Sequence, residues 1–386
     1  METVDWAGLE HAYGSAEDVP ANLRALTSAD EEERHGAFGE LYASIVHQGT
    51  RYEASAYAVP PLLDLIADPA TPDRWLVGQL LVLIAIGSDE AWLPDGLPVE
   101  ELRAAATGGA EALRRYKRDE PLGDADQGRM YAHFDLRAYE AVGAGLPLLR
   151  RVAAAEGDAD LSTVAAYTLG WFSEPEPAAS LAVLAVVATD PDRDEVQVAV
   201  AVVAAGMVGA DGADRLAATA LDDERPVVRW AGAVASARLH GPATGERAVT
   251  ELLRWAGGTD EPDPRIPYLE GDLGGYASLA THQLGSAYAD AAFDAHLARL
   301  PKVQAMPALT VVGAALRLAF PAGPVPAGTP FTALDDRQRR LVRVLAAAPG
   351  SWCWSGRQEF GNFSMAVGEY GLPNSNSRMR GYARTV

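Results

Sequence analysis

The chain has 386 residues, 48% hydrophobic and 8% aromatic, with 53 acidic against 32 basic residues and a formal net charge of −21. This composition excludes the disordered class, and the negative charge repels phosphate backbones and anionic lipid surfaces, so nucleic acid and membranes are disfavoured partners. The lone cysteine, Cys353, excludes an internal disulfide and any multi-cysteine metal site, and no metal or cofactor is implied.

The opening METVDWAGLEHAYG has no basic segment followed by an apolar one, so no signal peptide is read and a cytoplasmic location is expected. Residues 1–18 form a polar N-terminal cap in which Trp6 and Leu9 cover the first helices. A first helix pair spans 19–27 and 29–47, with Ser28-Ala-Asp-Glu supplying a cap and an acidic first turn. The clearest unit is 58–87. Val59, Leu62, Leu63 and Ile66 fall at i, i+3, i+4 and i+7, and Leu76, Leu80, Leu83 and Ile84 repeat that stripe after a Pro/Asp/Thr turn.

Residues 98–118 read as helical and 118–130 as an irregular exposed loop rich in charge, Pro and Gly. Helix pairs resume at Met130 and continue through 178–209, 211–241 and 242–285, the last broken by the loop 257–267. The longest apolar run, around 198–210, is interrupted by Gly206 and Gly209 and falls short of the roughly 18 residues a membrane span needs. A last pair covers 288–320, followed by a stiff Pro/Gly linker over 321–330. The segment 331–386 is then a C-terminal helical cap, with a helix over 335–348 and a loose tail beyond about Leu372 that carries Arg378, Arg380 and Arg384.

Second helices end at Gly49, Gly87, Gly170, Gly209, Gly241 and Gly285, at intervals of 38, 83, 39, 32 and 44 residues. A single pair cannot bury both of its stripes, so pairs must stack on neighbours. Over 19–320 the chain resembles the HEAT-repeat, armadillo-type family, with VVRWAGAVASARLHG (227–241) the best second-helix match. That resemblance implies an all-α fold, a right-handed α-α superhelix of stacked antiparallel helix pairs.

Three histidines, His47, His240 and His282, fall at the ends of second helices, where an imidazole can cap carbonyls. The turn after the first pair gathers His47, Gln48, Arg51 and Tyr52. Helical spacing in the next candidate sets Tyr131, Asp135 and Tyr139 on one flank and His133, Arg137 and Glu140 on the other, the latter with an Arg137/Glu140 i,i+3 pair. Asp272 and Tyr276 form an i,i+4 pair near a Gly-rich helix start that lacks the lysine and spacing of a phosphate loop.

The expected function is a scaffold that binds a protein or peptide, basic by charge complementarity, along a concave face. The alternative is an enzyme acting on a small molecule or modified peptide around His47, Arg51, Tyr131 and Asp135. Two enzyme families share the HEAT-like fold. Deoxyhypusine hydroxylases carry His-Glu dyads that bind iron, and this chain has no His-Glu dipeptide. HEAT-like DNA glycosylases, the minor alternative, use a basic concave surface with aromatic residues and an Asp. Trp171, Trp230 and Asp135 supply those residue types, but the net charge opposes that role.

Overall fold

The computed structural model describes residues 4–259 and 261–384, so residues 1–3 of the expected cap, 385–386 of the tail and Asp260 of the 257–267 loop lie outside the described residues. The fold is all-α. Among the described residues twenty α-helices and ten short 3-10 helices are accompanied by two small antiparallel hairpins, β1 (Glu10–His11) with β2 (Gly14–Ser15) and β3 (Cys353–Ser355) with β4 (Gln358–Glu359). The chain divides into one unit through Asp211 and a second from Gly212.

The first unit opens with α1 (Val19–Ala25) and α2 (Glu31–Ile45). Asp30 starts α2 by accepting from the Glu32 N–H at 2.9 Å, and Glu31, Glu32 and Glu33 follow in the first turn, complementing the helix dipole. Next come α3 (Glu53–Ala67) and α4 (Arg74–Ile86), the pair with the clearest periodicity. The short α5 (Val99–Ala105) and α6 (Gly109–Tyr116) both lie on the long α7 (Asp124–Ala144), which also packs on α3 and α4. The unit ends with α8 (Leu146–Ala154), α9 (Ala159–Gly170), α10 (Pro177–Thr189) and α11 (Glu195–Val208). Apart from Glu195 and Gln197 in its first turn α11 is apolar, and all residues from Val196 to Val208 are buried, with α9 and α10 against it. Asp194 caps it by accepting from the N–H groups of Val196 and Gln197, both at 2.9 Å.

In the second unit α12 (Ala213–Ala220), α13 (Pro226–His240), α14 (Glu246–Ala256) and α15 (Leu273–Ala280) pack each on the next. Gly232 permits a close crossing of α12 and α13, since a Cβ there would lie 2.8 Å from the Ala217 carbonyl oxygen. α16 (Ala289–Arg299) and α17 (Ala305–Ala319) share a core with α18 (Asp336–Ala347), α19 (Gly361–Glu369) and α20 (Asn376–Tyr382).

Two second-helix ends inferred from spacing meet in space. Gly87, with φ of 75°, lies so close to Gly49 that a Cβ on it would overlap the Gly49 carbonyl. In the second unit Gly285 approaches Pro242, which follows the inferred end at Gly241.

Several boundaries differ from those inferred. The loop read over 118–130 is shorter, because α7 starts at Asp124: Asp124 and Asp126 occupy its first turn, and Asp126 pairs with Arg115 and Arg129, both at 2.7 Å. The residues that read as loop composition therefore serve a helix start. The helix expected over 98–118 is two helices, broken at Thr107 and Gly108. The tail beyond Leu372 is not loose, because α20 inserts the fully buried Met379 into the core, and the Asn376 side chain donates to the Leu345 and Ala346 carbonyls at 2.9 and 3.2 Å.

Candidate functional site

The turn between α2 and α3 is fixed by hydrogen bonds that leave little freedom to its side chains. Ser55, fully buried, accepts from the Tyr52 N–H at 2.7 Å and donates to the Ile45 carbonyl at 2.6 Å, tying the start of α3 to the end of α2. His47 Nδ1 lies 3.0 Å from the Ala43 carbonyl and 3.3 Å from the Tyr13 hydroxyl. A carbonyl only accepts, so the shorter contact sets the proton on Nδ1, and Tyr13 packs edge-on against the ring. His47 thus caps its helix. Gln48 is exposed with φ of 51°.

Arg51, in the turn before α3, and Asp135 of α7, distant in sequence, are joined by an ion pair with Nε to Oδ1 of 3.0 Å. The guanidinium also donates to the Gly49 carbonyl at 2.5 Å and packs against Gly87, where any Cβ would overlap it. Arg51 is only 3% exposed. Burial lowers its pKa and raises that of Asp135, each shift opposed by the partner's charge. This arrangement braces the turn ends against α7.

Beside the brace, the Tyr52 and Tyr131 rings meet edge to face at 6.5 Å, and Tyr131 meets Phe134 at 6.0 Å. Burial, then Tyr131 and Tyr13, push the Tyr52 hydroxyl pKa up. Both tyrosines line a cavity of about 330 Å³. A larger cleft of about 520 Å³ shares Glu53, Leu113 and Phe134 with it and reaches Trp6, Tyr57 and Asp64. Glu53 in the shared wall pairs with Lys117 at 2.7 Å, and Lys117 also donates to the Gly8 carbonyl at 2.9 Å.

One face of α3 builds the larger cleft: Glu53, Tyr57, Pro60, Pro61 and Asp64 recur at helical spacing opposite the buried Val59, Leu62 and Ile66. Two consecutive prolines inside a helix remove two donors, so the carbonyls of Ala56 and Tyr57 lose their i+4 partners on the wall where the cleft lies. Asp64 makes no ion pair among the described residues. Across the cleft, α7 contributes His133 and Arg137. Burial, and secondarily Arg137, hold the His133 imidazole below its ordinary pKa. Arg137 lies 3.5 Å from Glu140 as an i,i+3 pair.

The remaining sequence candidates lie elsewhere. Tyr139 is buried, stacks on Phe172 at 4.4 Å and donates to the Trp171 carbonyl at 3.0 Å, so it does not share a flank with Tyr131. Asp272 caps α15 through the Gly275 N–H at 2.8 Å and pairs with the buried Arg299 at 2.6 Å. Tyr276 is enclosed, meeting the Trp230 and Tyr268 rings at 5.8 and 5.5 Å, and His282 is exposed. Asp272, Tyr276 and His282 belong to the second unit. The sequence reading takes Trp6 only as a cap residue and does not single out Tyr57 or Asp64. The available signal was the face of α3 opposite its apolar stripe, where a tyrosine and two prolines stand among acids.

No described helix is long and apolar enough to cross a membrane. No family model and no curated protein matches the chain. Among solved structures it is similar to an engineered protein known from a crystal structure, at 16% identity over 86% of this chain and 84% of that one, with a TM-score of 0.32, a likeness too weak to bear on fold or function.

Proposed function

We infer that the chain is a HEAT-like helical-repeat binding module whose first unit takes a peptide bearing a basic side chain between apolar neighbours. The stacked-repeat reading is supported by helix pairs that pack on their successors and by the meeting of Gly49 with Gly87. The observation that carries the binding reading is the 520 Å³ cleft itself, with Trp6, Tyr57, Leu65 and Phe134 as apolar walls and Asp64 and the Ala56 and Tyr57 carbonyls as acceptors. The net charge of −21 favours encounter with a basic partner. Binding is favoured over catalysis because Arg51 and Asp135, and Glu53 and Lys117, are committed to pairs within the fold.

Fluorescence anisotropy with short labelled peptides, carrying a central Arg or Lys flanked by Leu or Phe, tests the reading. Binding is expected at about 1 to 100 μM and is expected to weaken about tenfold in Tyr57→Ala and Asp64→Asn, a loss of about 1.4 kcal/mol each. Equal binding of peptides with a central Glu, or unchanged affinity in Asp64→Lys, overturns it.

A further inference from the structure

The charge of the chain is unevenly distributed. Residues 331–386 hold eight arginines and four acidic residues, whereas the whole chain carries a net −21. Arg337, Arg339, Arg340 and Arg378 donate hydrogen bonds and Arg343 stands over the Phe331 ring, whereas Arg357 and Arg380 line one cavity of about 390 Å³ in the second unit and make no ion pair or hydrogen bond among the described residues. Three serines, Ser364, Ser375 and Ser377, line the same cavity, with the Ser375 and Ser377 hydroxyls 3.5 Å apart.

The frame is fixed by packing. Arg357 stands in the turn between β3 and β4, and that hairpin is held by the Phe360 N–H donating to the Trp352 carbonyl at 2.8 Å. Arg380 follows the fully buried Met379, and the helix start is anchored by the Asn376 bonds to the end of α18. Trp352, whose indole N–H donates to the Leu345 carbonyl at 3.0 Å and whose ring packs on Phe363, contributes its edge to the lining.

We propose that this cavity is a binding site for a phosphate monoester. Two guanidinium forks and three hydroxyls offer more donors than the two oxygens of a carboxylate can accept, and a tetrahedral phosphoryl group with three terminal oxygens uses them. Glu359 also lines the cavity, and its carboxylate opposes a more highly charged polyphosphate. The same chemistry is carried by a small free phosphomonoester and by a phosphorylated side chain of a peptide. This site is independent of the cleft in the first unit.

Cys353 lines the cavity and is the only cysteine, so its alkylation reads the site directly. The rate of modification by the uncharged reagent N-ethylmaleimide is followed by mass spectrometry with inorganic phosphate, phenyl phosphate, benzoate, and a phosphoserine peptide beside its unphosphorylated form, all at matched ionic strength. Calorimetry with the same probes reports binding without relying on the thiol. Saturable protection by phenyl phosphate is expected, weakened about tenfold in Arg357→Gln and again in Arg380→Gln, with the far-ultraviolet circular dichroism unchanged. Tighter protection by the phosphopeptide than by phenyl phosphate assigns the peptide source, and the reverse assigns the free ester. Equal binding of benzoate, retention of binding in the double variant, or absence of both protection and heat for every phosphate probe overturns the proposal.

Discussion

Replacing Asp272 with Ala tests whether this residue is a strut of the fold or a group available to a ligand. Its carboxylate, 6% exposed, faces the Arg299 guanidinium, 1% exposed, at 2.6 Å, and also accepts from the Gly275 N–H. Arg299 in turn donates to the Gly258 carbonyl at 2.7 Å, so it cannot swing out to water without giving up that bond. Removing one partner of a buried pair costs about 3–5 kcal/mol, because the remaining charge stays buried. Loss of the helix cap contributes about 1 kcal/mol of the effect, and Asn at the same position restores a cap acceptor. Asp272→Ala is therefore expected to destabilise the second unit by about 4 kcal/mol and Asp272→Asn by about 3 kcal/mol. With a urea slope of about 2 kcal/mol/M, the midpoint for Asp272→Ala falls by about 2 M. Urea titration of the full chain followed by circular dichroism measures this, read on whichever transition moves, since a chain of two units need not unfold in one step. Midpoints agreeing within about 0.5 M would refute the strut and return Asp272 to the candidates for ligand contact.

Asp135→Ala, which leaves the buried Arg51 without its carboxylate, is expected to lose about 2–4 kcal/mol, whereas Arg51→Met combined with Asp135→Leu recovers most of the loss. A double-mutant cycle in urea checks this, and additive losses contradict it. His296, 1% exposed, has its pKa lowered from 6.5 to about 4, chiefly by burial and then by Arg317. The unfolded chain binds the proton more tightly, so the contribution of this group is fully present above the unfolded value near pH 6.5 and is lost as pH falls towards 4. The loss amounts to about 3 kcal/mol, and His296→Gln is expected to flatten the stability profile across that window in urea melts at stepped pH.

The helices were most legible where an apolar stripe repeats. The stripe through Val59, Leu62 and Ile66 corresponds to α3, and that through Leu76, Leu80 and Ile84 to α4. Charged helix starts were harder to read, since Asp124 and Asp126 have the composition of a loop until Arg115 and Arg129 are seen beside them. Helix α20 is hard to read because Met379 and Tyr382 alone anchor a polar segment, and the partners that cover them come from distant sequence. Tyr139 was assigned to a flank by ideal helical angles, but its ring found Phe172 and turned into the core. The cleft was hidden for a related reason. Tyr57, Pro60, Pro61 and Asp64 lie off the buried stripe of α3, and the cleft they line is completed by Trp6 and by α7, both distant in sequence.

Because Pro60 and Pro61 carry no amide hydrogen, the α3 wall of the cleft is silent at those positions in a deuterium-exchange map. A ligand seated there can leave the exchange pattern of α3 almost untouched and still be bound. The informative signals lie on the other side of the peptide unit, in the carbonyl carbons of Ala56 and Tyr57. Isotope-edited infrared or carbon-detected resonance methods would follow them as an arriving donor bonds to them.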